Sequence, residues 1–269
     1  MNSANSRAEG RTGISCLLIV GFERKNTPST GAAIDNPPRP GYCPFHQMEN
    51  GPDRLQRLYR HRFDDASRES KQRIWNVLVR SYFQKFVSPS AAVLDLGCGF
   101  GEFLNPLRCA KRTGIDLNPD SAKSLESGIE FHAGDVRNLP MLQDGSFDVV
   151  FTSNLMEHLP SKDDVERMLR EARRVLKPGG QLIALGPNLR YLAGEYWDFW
   201  DHLTPITDRS LAEILTALEF KVVEQRARFL PYTTRSALPQ ASWLVWLYLK
   251  LPLAWPLFGR QFLLRAIKP

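Results

Sequence analysis

Three carboxylates, Asp95, Asp116 and Asp135, each stand at the end of an apolar run, and beside the first lies Gly97-Cys98-Gly99-Phe100-Gly101-Glu102. Val93 to Leu96 reads as a buried strand emptying into a tight turn, where glycines let the backbone fold back and approach a ligand closely. A helix is expected to open directly after the turn and to offer N–H groups at its positive end. The chemistry is that of a nucleotide-like ligand. A dinucleotide fingerprint, however, needs G-x-G-x-x-G, and Glu102 occupies the place of the third glycine, so a pyrophosphate is disfavoured. Asp95, two residues before the first glycine, suits a cationic ammonium better than a phosphate.

Further blocks follow in order. Gly114-Ile115-Asp116-Leu117 is a second strand ending in an acid, with Asn118 as an N-cap and Pro119 at the first helical position. Ile129 to Val136 reads as a third strand ending at Asp135, and Phe147 to Asn154 as a fourth. Arg174 to Leu185 reads as a helix end, a stop and turn at Gly179-Gly180, and a fifth strand. Asp148 only finishes a surface turn. Carboxylates buried at successive strand ends are costly unless they bind something, and parallel sheets bind ligands at that edge.

In these blocks the chain resembles the class I S-adenosylmethionine (SAM)-dependent methyltransferases. The resemblance implies an α/β fold, a Rossmann-like seven-stranded sheet with six parallel strands, an antiparallel seventh at Phe262 to Ile267, and helices on both faces. It implies SAM as the cofactor, bound by Asp95, Gly97, Gly99 and Gly101, by Asp116 and Leu117 at the ribose, by Asp135 and Val136 at the adenine, and by Asn154 after the fourth strand. The Asp201-His202 loop and Arg228-Phe229-Leu230-Pro231-Tyr232-Thr233 look like bacterial methyltransferases of glycan and polysaccharide assembly.

On the acceptor side, Leu155-Met156-Glu157-His158-Leu159 begins the region facing the methyl donor, and Pro187 to Ile206 forms an aromatic and acidic loop. A hydroxyl acceptor benefits from a base, and His158 and His202 are the candidates, with His202 preferred. Ser153-Asn154-Leu155-Met156 replaces the Asn/Asp-Pro-Pro-aromatic run of enzymes that methylate base amino groups, and neither Cys98 nor Cys109 is placed as a nucleophile for cytosine. The expected acceptor is therefore a hydroxyl of a glycan or lipid-linked saccharide. The rivals are RNA, a quinone or lipid, and a non-catalytic SAM-binding partner protein; basic helices favour RNA, an apolar insertion favours lipid, and nucleic acid is the disfavoured partner.

The elements that position these groups occupy most of a chain of 269 residues with formal net charge +6, long enough for a full core. Residues 1–47, rich in proline, serine and glycine, are expected to be a disordered tail, and Met48 is a candidate native start. The short apolar run Ile14 to Phe22 lacks a cleavage site and does not read as a signal peptide. Residues 48–90 are expected to form basic amphipathic helices, with Leu55, Leu58, Tyr59, Ile74, Val77, Leu78, Tyr82 and Phe86 on the apolar face. Residues 91–269 form the methyltransferase-like domain, interrupted by an aromatic insertion at 229–258.

Cys16, Cys43, Cys98 and Cys109 show no paired spacing, which suggests a reduced cytoplasmic setting, and Cys43-Pro-Phe-His46 has no second half to complete a metal site. No metal is expected. Within the insertion, Lys250, Pro252 and Pro256 break the apolar stretch 242–258 well below the ~20 residues of a spanning helix. It reads as a packed lid or dimer surface, or as a peripheral membrane contact at the inner face, which would expose Trp243, Trp246 and Trp255.

Overall fold

A computed structural model describes residues 65–232 and 241–269, with side chains from Glu69 on. The expectations for the N-terminal tail, for Met48, for Leu55 to Tyr59, for Cys16, Cys43 and His46, and for Thr233 lie outside the described residues.

Seven strands form one sheet in the order β3-β2-β1-β4-β5-β7-β6. They are β1 (Ala92–Leu96), β2 (Lys111–Asp116), β3 (Ile129–Ala133), β4 (Phe147–Ser153), β5 (Leu176–Pro187), β6 (Lys221–Leu230) and β7 (Gln261–Ile267). The pairs among β1 to β5 are parallel, and β7 runs antiparallel to both β5 and β6. The six-plus-one sheet expected from the sequence is the observed one. The chain leaves β1 toward β2 and β3, then returns to place β4 on the other side of β1. That reversal opens a crevice at the carboxyl ends of β1 and β4, where open α/β sheets take their ligands.

Helices cover both faces: α1 (Asp65–Ser81), α2 (Lys162–Val175), α3 (Leu189–Leu192), α4 (Asp208–Ala217), α5 (Ser242–Lys250) and α6 (Trp255–Phe258). The central strands carry apolar side chains on both sides, because neighbours point to opposite, equally buried faces. Leu94, Leu96 and Val150 pack with Val165, Met168 and Leu169 of α2 and Leu211 and Leu215 of α4. Val93, Val149 and Phe151 pack on the other face with Trp75, Leu78 and Val79 of α1 and Leu249 of α5. Each such side chain contributes up to about 1.5–3 kcal/mol on burial.

Several sequence expectations are corrected. The buried stripe of α1 and the turn after it is Trp75, Leu78, Val79, Tyr82 and Phe83, while Ile74, Val77 and Phe86 are only partly covered. Both sets fit three- and four-residue spacing; the aromatic contacts of Trp75 and Phe83 with Phe151 select the first. The glycine turn is not followed by a helix but by a chain of turns through residue 106. Pro106 has no N–H and disfavours helical backbone at Asn105, whose side chain is instead bonded to Ser124 and Glu126. Gly179-Gly180 does not separate helix from strand: β5 begins directly after α2, and Lys177 to Gly180 loop out within it, because Phe147 pairs with Leu176 and Val149 with Gln181. Finally β6 continues through buried Phe229 and Leu230, so the insertion starts after 230 rather than at 229.

Asp148 lies within β4 and does not finish a turn. Its carboxylate accepts from the Ala92 N–H at 2.8 Å and pairs with Lys177 at 2.8 Å. Among the described residues no helix is long and apolar enough to cross a membrane.

Candidate functional site

The turn after β1 carries Gly97, Gly99 and Gly101 at φ +73°, +52° and +79°, a region that L side chains rarely adopt. A Cβ at Gly97 would lie 3.0 Å from Leu155, and one at Gly101 2.6 Å from Leu125. At Gly99 it would meet only the Glu102 carboxylate, at 3.1 Å, so this glycine keeps the loop's inner side clear. Asp116, at the end of β2, shapes the loop from the neighbouring strand. Its Oδ2 accepts the Gly99 N–H at 2.8 Å and its Oδ1 the Asn118 N–H at 2.9 Å. Asn118 caps the next turn by accepting from Asp120, with Pro119 following, but that turn is a short 3₁₀ helix.

Acidic groups converge beneath this loop. Asp95 is 3 % exposed and Glu102 8 %. Burial, then the charges of Glu102 and Asp116, push the Asp95 carboxyl well above its usual range. Burial also raises Asp116, against the lowering effect of its two backbone hydrogen bonds. Glu102 accepts from the Phe100 N–H at 3.0 Å and pairs with Lys71 of α1 at 2.8 Å. In the sequence Glu102 argues only against a pyrophosphate; held this close to the glycines, it is a further candidate for the site. Burial, then Asp95, Asp116 and Glu102, pushes the Cys98 thiol up, which makes it a packing residue and not a nucleophile.

Such a concentration of buried carboxylates fits a cation and repels a phosphate. SAM carries an ammonium and a sulfonium, so the residues present fit it. Leu117, 54 % exposed beside Asp116, offers an apolar surface at the rim, and Val136 is buried near by in sequence to Asp135. Asp135 is less open than expected. Arg137 Nε donates to both its oxygens at 2.9 Å, and Arg137 also pairs with Asp164 at 2.8 Å. Asn154 is exposed at φ 50°, immediately after β4, with its side chain on Ser153.

The second half of the site joins two distant segments. Met156 to His158 form a 3₁₀ turn after β4, and the loop after β5 returns to it. Leu203 and Thr204 N–H both donate to the Glu157 carbonyl, at 2.7 and 3.1 Å, and Thr204 Oγ1 donates to the Leu159 carbonyl at 2.6 Å. Tyr196 is fully buried and donates to the Thr204 carbonyl at 2.5 Å. The two candidate histidines are thereby brought together, with ring centroids 5.0 Å apart. His202 is 6 % exposed and stacks on Phe199, so it is more enclosed than a loop position suggests. His158 Nδ1 lies 2.9 Å from the Asp201 carbonyl and 3.3 Å from its carboxylate. Because a carbonyl only accepts, Nδ1 carries a proton, and Nε2 is the ring nitrogen turned away from Asp201. Glu157 and Asp201 were missed as site residues. The apolar flanks of Leu-Met-Glu-His-Leu, which imply burial of the acid, were the available signal for Glu157.

Cavities of 810 and 520 Å³ lie away from these groups, the first at the opposite edge of the sheet among Arg170, Arg173, Arg174 and Lys268.

Residues 94–184 match the methyltransferase domain family. Over 148 residues the chain is 33 % identical to the ubiquinone biosynthesis O-methyltransferase of Xanthomonas axonopodis pv. citri, covering 51 % of this chain and 60 % of that protein. The chain spans 34–63 % of the length of the curated relatives it matches. A SAM-dependent methyltransferase from Archaeoglobus fulgidus superposes with a TM-score of 0.57 at 22 % identity, over 80 % of this chain and 99 % of that one. A chain of the Haloferax volcanii complex between the Trm112 methyltransferase activator and a methyltransferase gives 0.60 at 19 %, over 81 % and 96 %. At such identities the likeness establishes the fold. The family match and the acidic lining of the binding loop support SAM as the cofactor of the methyltransferase-domain segment.

Proposed function

We propose that the chain transfers a methyl group from SAM to a hydroxyl oxygen of an amphiphilic acceptor, a lipid-linked saccharide or a related lipid. The chemistry supplied by bound SAM is a methyl carbon attached to a sulfonium. Asp95, the glycine loop and Asp116 hold and orient it, and alignment provides most of the acceleration in a displacement of this kind. The Glu157–His158–His202 cluster is assigned to the acceptor, whose hydroxyl proton must leave as the new bond forms.

The observation that carries the amphiphilic acceptor is the surface of the insertion. More than half of the exposed large hydrophobic side chains among the described residues fall between 242 and 258, including Trp243, Trp246, Leu253 and Leu257. Cations border them: Arg228 donates to the Leu257 and Gly259 carbonyls at 2.8 and 2.7 Å, and Lys250 closes α5. An aromatic and aliphatic surface rimmed by Arg and Lys suits a bilayer interface. Trp255 departs from the simplest interface picture: it is 5 % exposed and its Nε1 donates to Tyr248 at 3.0 Å. The segment is thus half anchored in the core and half bare.

A quinone acceptor is the second reading, favoured by the Xanthomonas relative. Incubating the protein with methyl-labelled SAM and cell extract, then partitioning the label, tests both. Label in extracted lipid is expected, and mild acid separates a saccharide head from its lipid while leaving a methylated quinone intact. Label confined to nucleic acid or to water-soluble glycans would overturn the amphiphilic acceptor.

A further inference from the structure

We propose that Glu157, His158 and His202 form a binding site for a divalent transition cation of the zinc type. The ligand atoms that the three offer all lie within 4.8 Å of one another. Two of the residues are buried, Glu157 at 2 % and His202 at 6 % exposure, and His158 is partly so. Two histidines and one carboxylate are a donor set for zinc or ferrous iron, where magnesium and calcium prefer oxygens alone.

Three further features separate this from a chance cluster. His158 has the orientation of a metal-bound histidine, with Nδ1–H held by the carbonyl and carboxylate of Asp201 and Nε2 turned toward Glu157. The separation of Nε2 from the Glu157 carboxylate is 4.0 Å, too long for a hydrogen bond. It is within the about 4.2 Å that two zinc bonds of ~2.1 Å can span, and side-chain rotation within one rotamer well closes the angle further. The backbone around the donors is also fixed independently of any ion, through the bonds of Leu203 and Thr204 to the Glu157 carbonyl and of Thr204 to Leu159. Burying the Glu157 carboxylate is unfavourable, and a divalent cation beside it removes that penalty.

Three protein ligands leave an open coordination position for water or an acceptor oxygen. A cation there lowers the pKa of a bound hydroxyl, and in that respect the inference deepens the proposed methyl transfer; the binding site itself does not depend on it. None of the three residues forms a recognised metal motif in sequence, because Glu157 and His202 meet only through the loop contacts.

The test is calorimetric titration of chelator-treated full-length protein with Zn²⁺, paired with Co²⁺ titration read by its visible absorption. Cys43→Ser and His46→Ala are present throughout to remove a competing donor pair. One Zn²⁺ per chain at micromolar or lower Kd is expected, with a Co²⁺ spectrum of four- or five-coordinate character. Glu157→Gln and His202→Ala should each weaken binding at least ~100-fold, and Asp201→Asn, acting through His158, about 10–100-fold. His132→Ala, on β3, should leave it unchanged. Where His202→Ala fails to fold by circular dichroism, Glu157→Gln and Asp201→Asn decide. Absence of Zn²⁺ binding below about 100 μM, or binding that these substitutions leave intact, overturns the site. SAM titration of the same metal-free protein separates the two readings: SAM binding without zinc binding removes the cation site alone, and zinc binding without SAM binding removes the methyltransferase reading.

Discussion

Between β1 and β3 the carboxyl edge of the sheet is made by residues a few positions from a strand end, and the loop is held by neighbours in the same sheet. Beyond β4 the edge is made by a 3₁₀ turn and a long loop that reach each other through backbone amides. In the first region Asp116 fixes Gly99 across one strand spacing. In the second, Asp201 fixes His158 from 43 residues away. A strand-end site needs only the sheet to exist; a loop-to-loop site needs the loop to close correctly as well. The cofactor half is therefore expected to fail locally and the acceptor half to fail by losing its loop.

Gly99→Val should give the largest break on the cofactor side, because it adds a branched side chain at φ +52° against Glu102. Calorimetry is expected to find no SAM binding in a protein that still folds; normal binding would refute the loop assignment. On the acceptor side, His202→Ala should lower turnover by ~10²–10⁴-fold, the range of proton-transfer assistance, with SAM affinity unchanged. A drop in SAM affinity of the same size would mean that the two halves are not separable.

Asp116→Ala removes the acceptor of two backbone amides as well as the proposed ribose contact. It should weaken SAM by more than tenfold, about 1.5–3 kcal/mol, and lower the melting temperature of the cofactor-free protein. Trp246→Glu addresses the outer rim of the acceptor half: co-sedimentation with anionic vesicles should be lost in the variant and weakened by salt in the wild type, at unchanged SAM affinity. A wild type that ignores vesicles would argue for a soluble acceptor.

The smallest effect is one of stability. Asp95 has a raised folded-state pKa, so the folded chain retains a proton that the unfolded chain releases near pH ~3.9. Cofactor-free stability contributed by that proton is present below this pH and falls as pH rises toward the folded pKa. Asp95→Asn should lack the decline and melt higher at neutral pH while binding SAM less well. Identical pH profiles of melting temperature in both proteins would show that Asp95 carries no such strain.

The same contrast explains what the sequence revealed. The strands β1 and β4 were legible because each carries a short apolar run bounded by turn residues, and Asp95 and Asp116 were legible because they stand at strand ends beside the glycine turn and Asn118-Pro119. The phase of α1 was not, since Trp75 and Ile74 both satisfy helical spacing and only the packing of Trp75 against Phe151 decides. The turns after Gly101 were misread because the glycine pattern outweighed Pro106. Pairing of Asp135 with Arg137 is a side-chain event two residues long that no periodicity records. His158 and His202 were named one by one, yet their proximity, and the roles of Glu157 and Asp201, depend on amides donated to the Glu157 carbonyl.

Residues 155 to 157 touch both halves. The Leu155 side chain occupies the space beside Gly97, so that a Cβ there would come within 3.0 Å of it, and two residues later the Glu157 carbonyl holds Leu203 and Thr204. Any shift of the glycine loop against Leu155 would therefore meet the same short turn that holds the acceptor loop. The consequence is thermodynamic reciprocity: if SAM tightens acceptor binding by some factor, the acceptor must tighten SAM by the same factor.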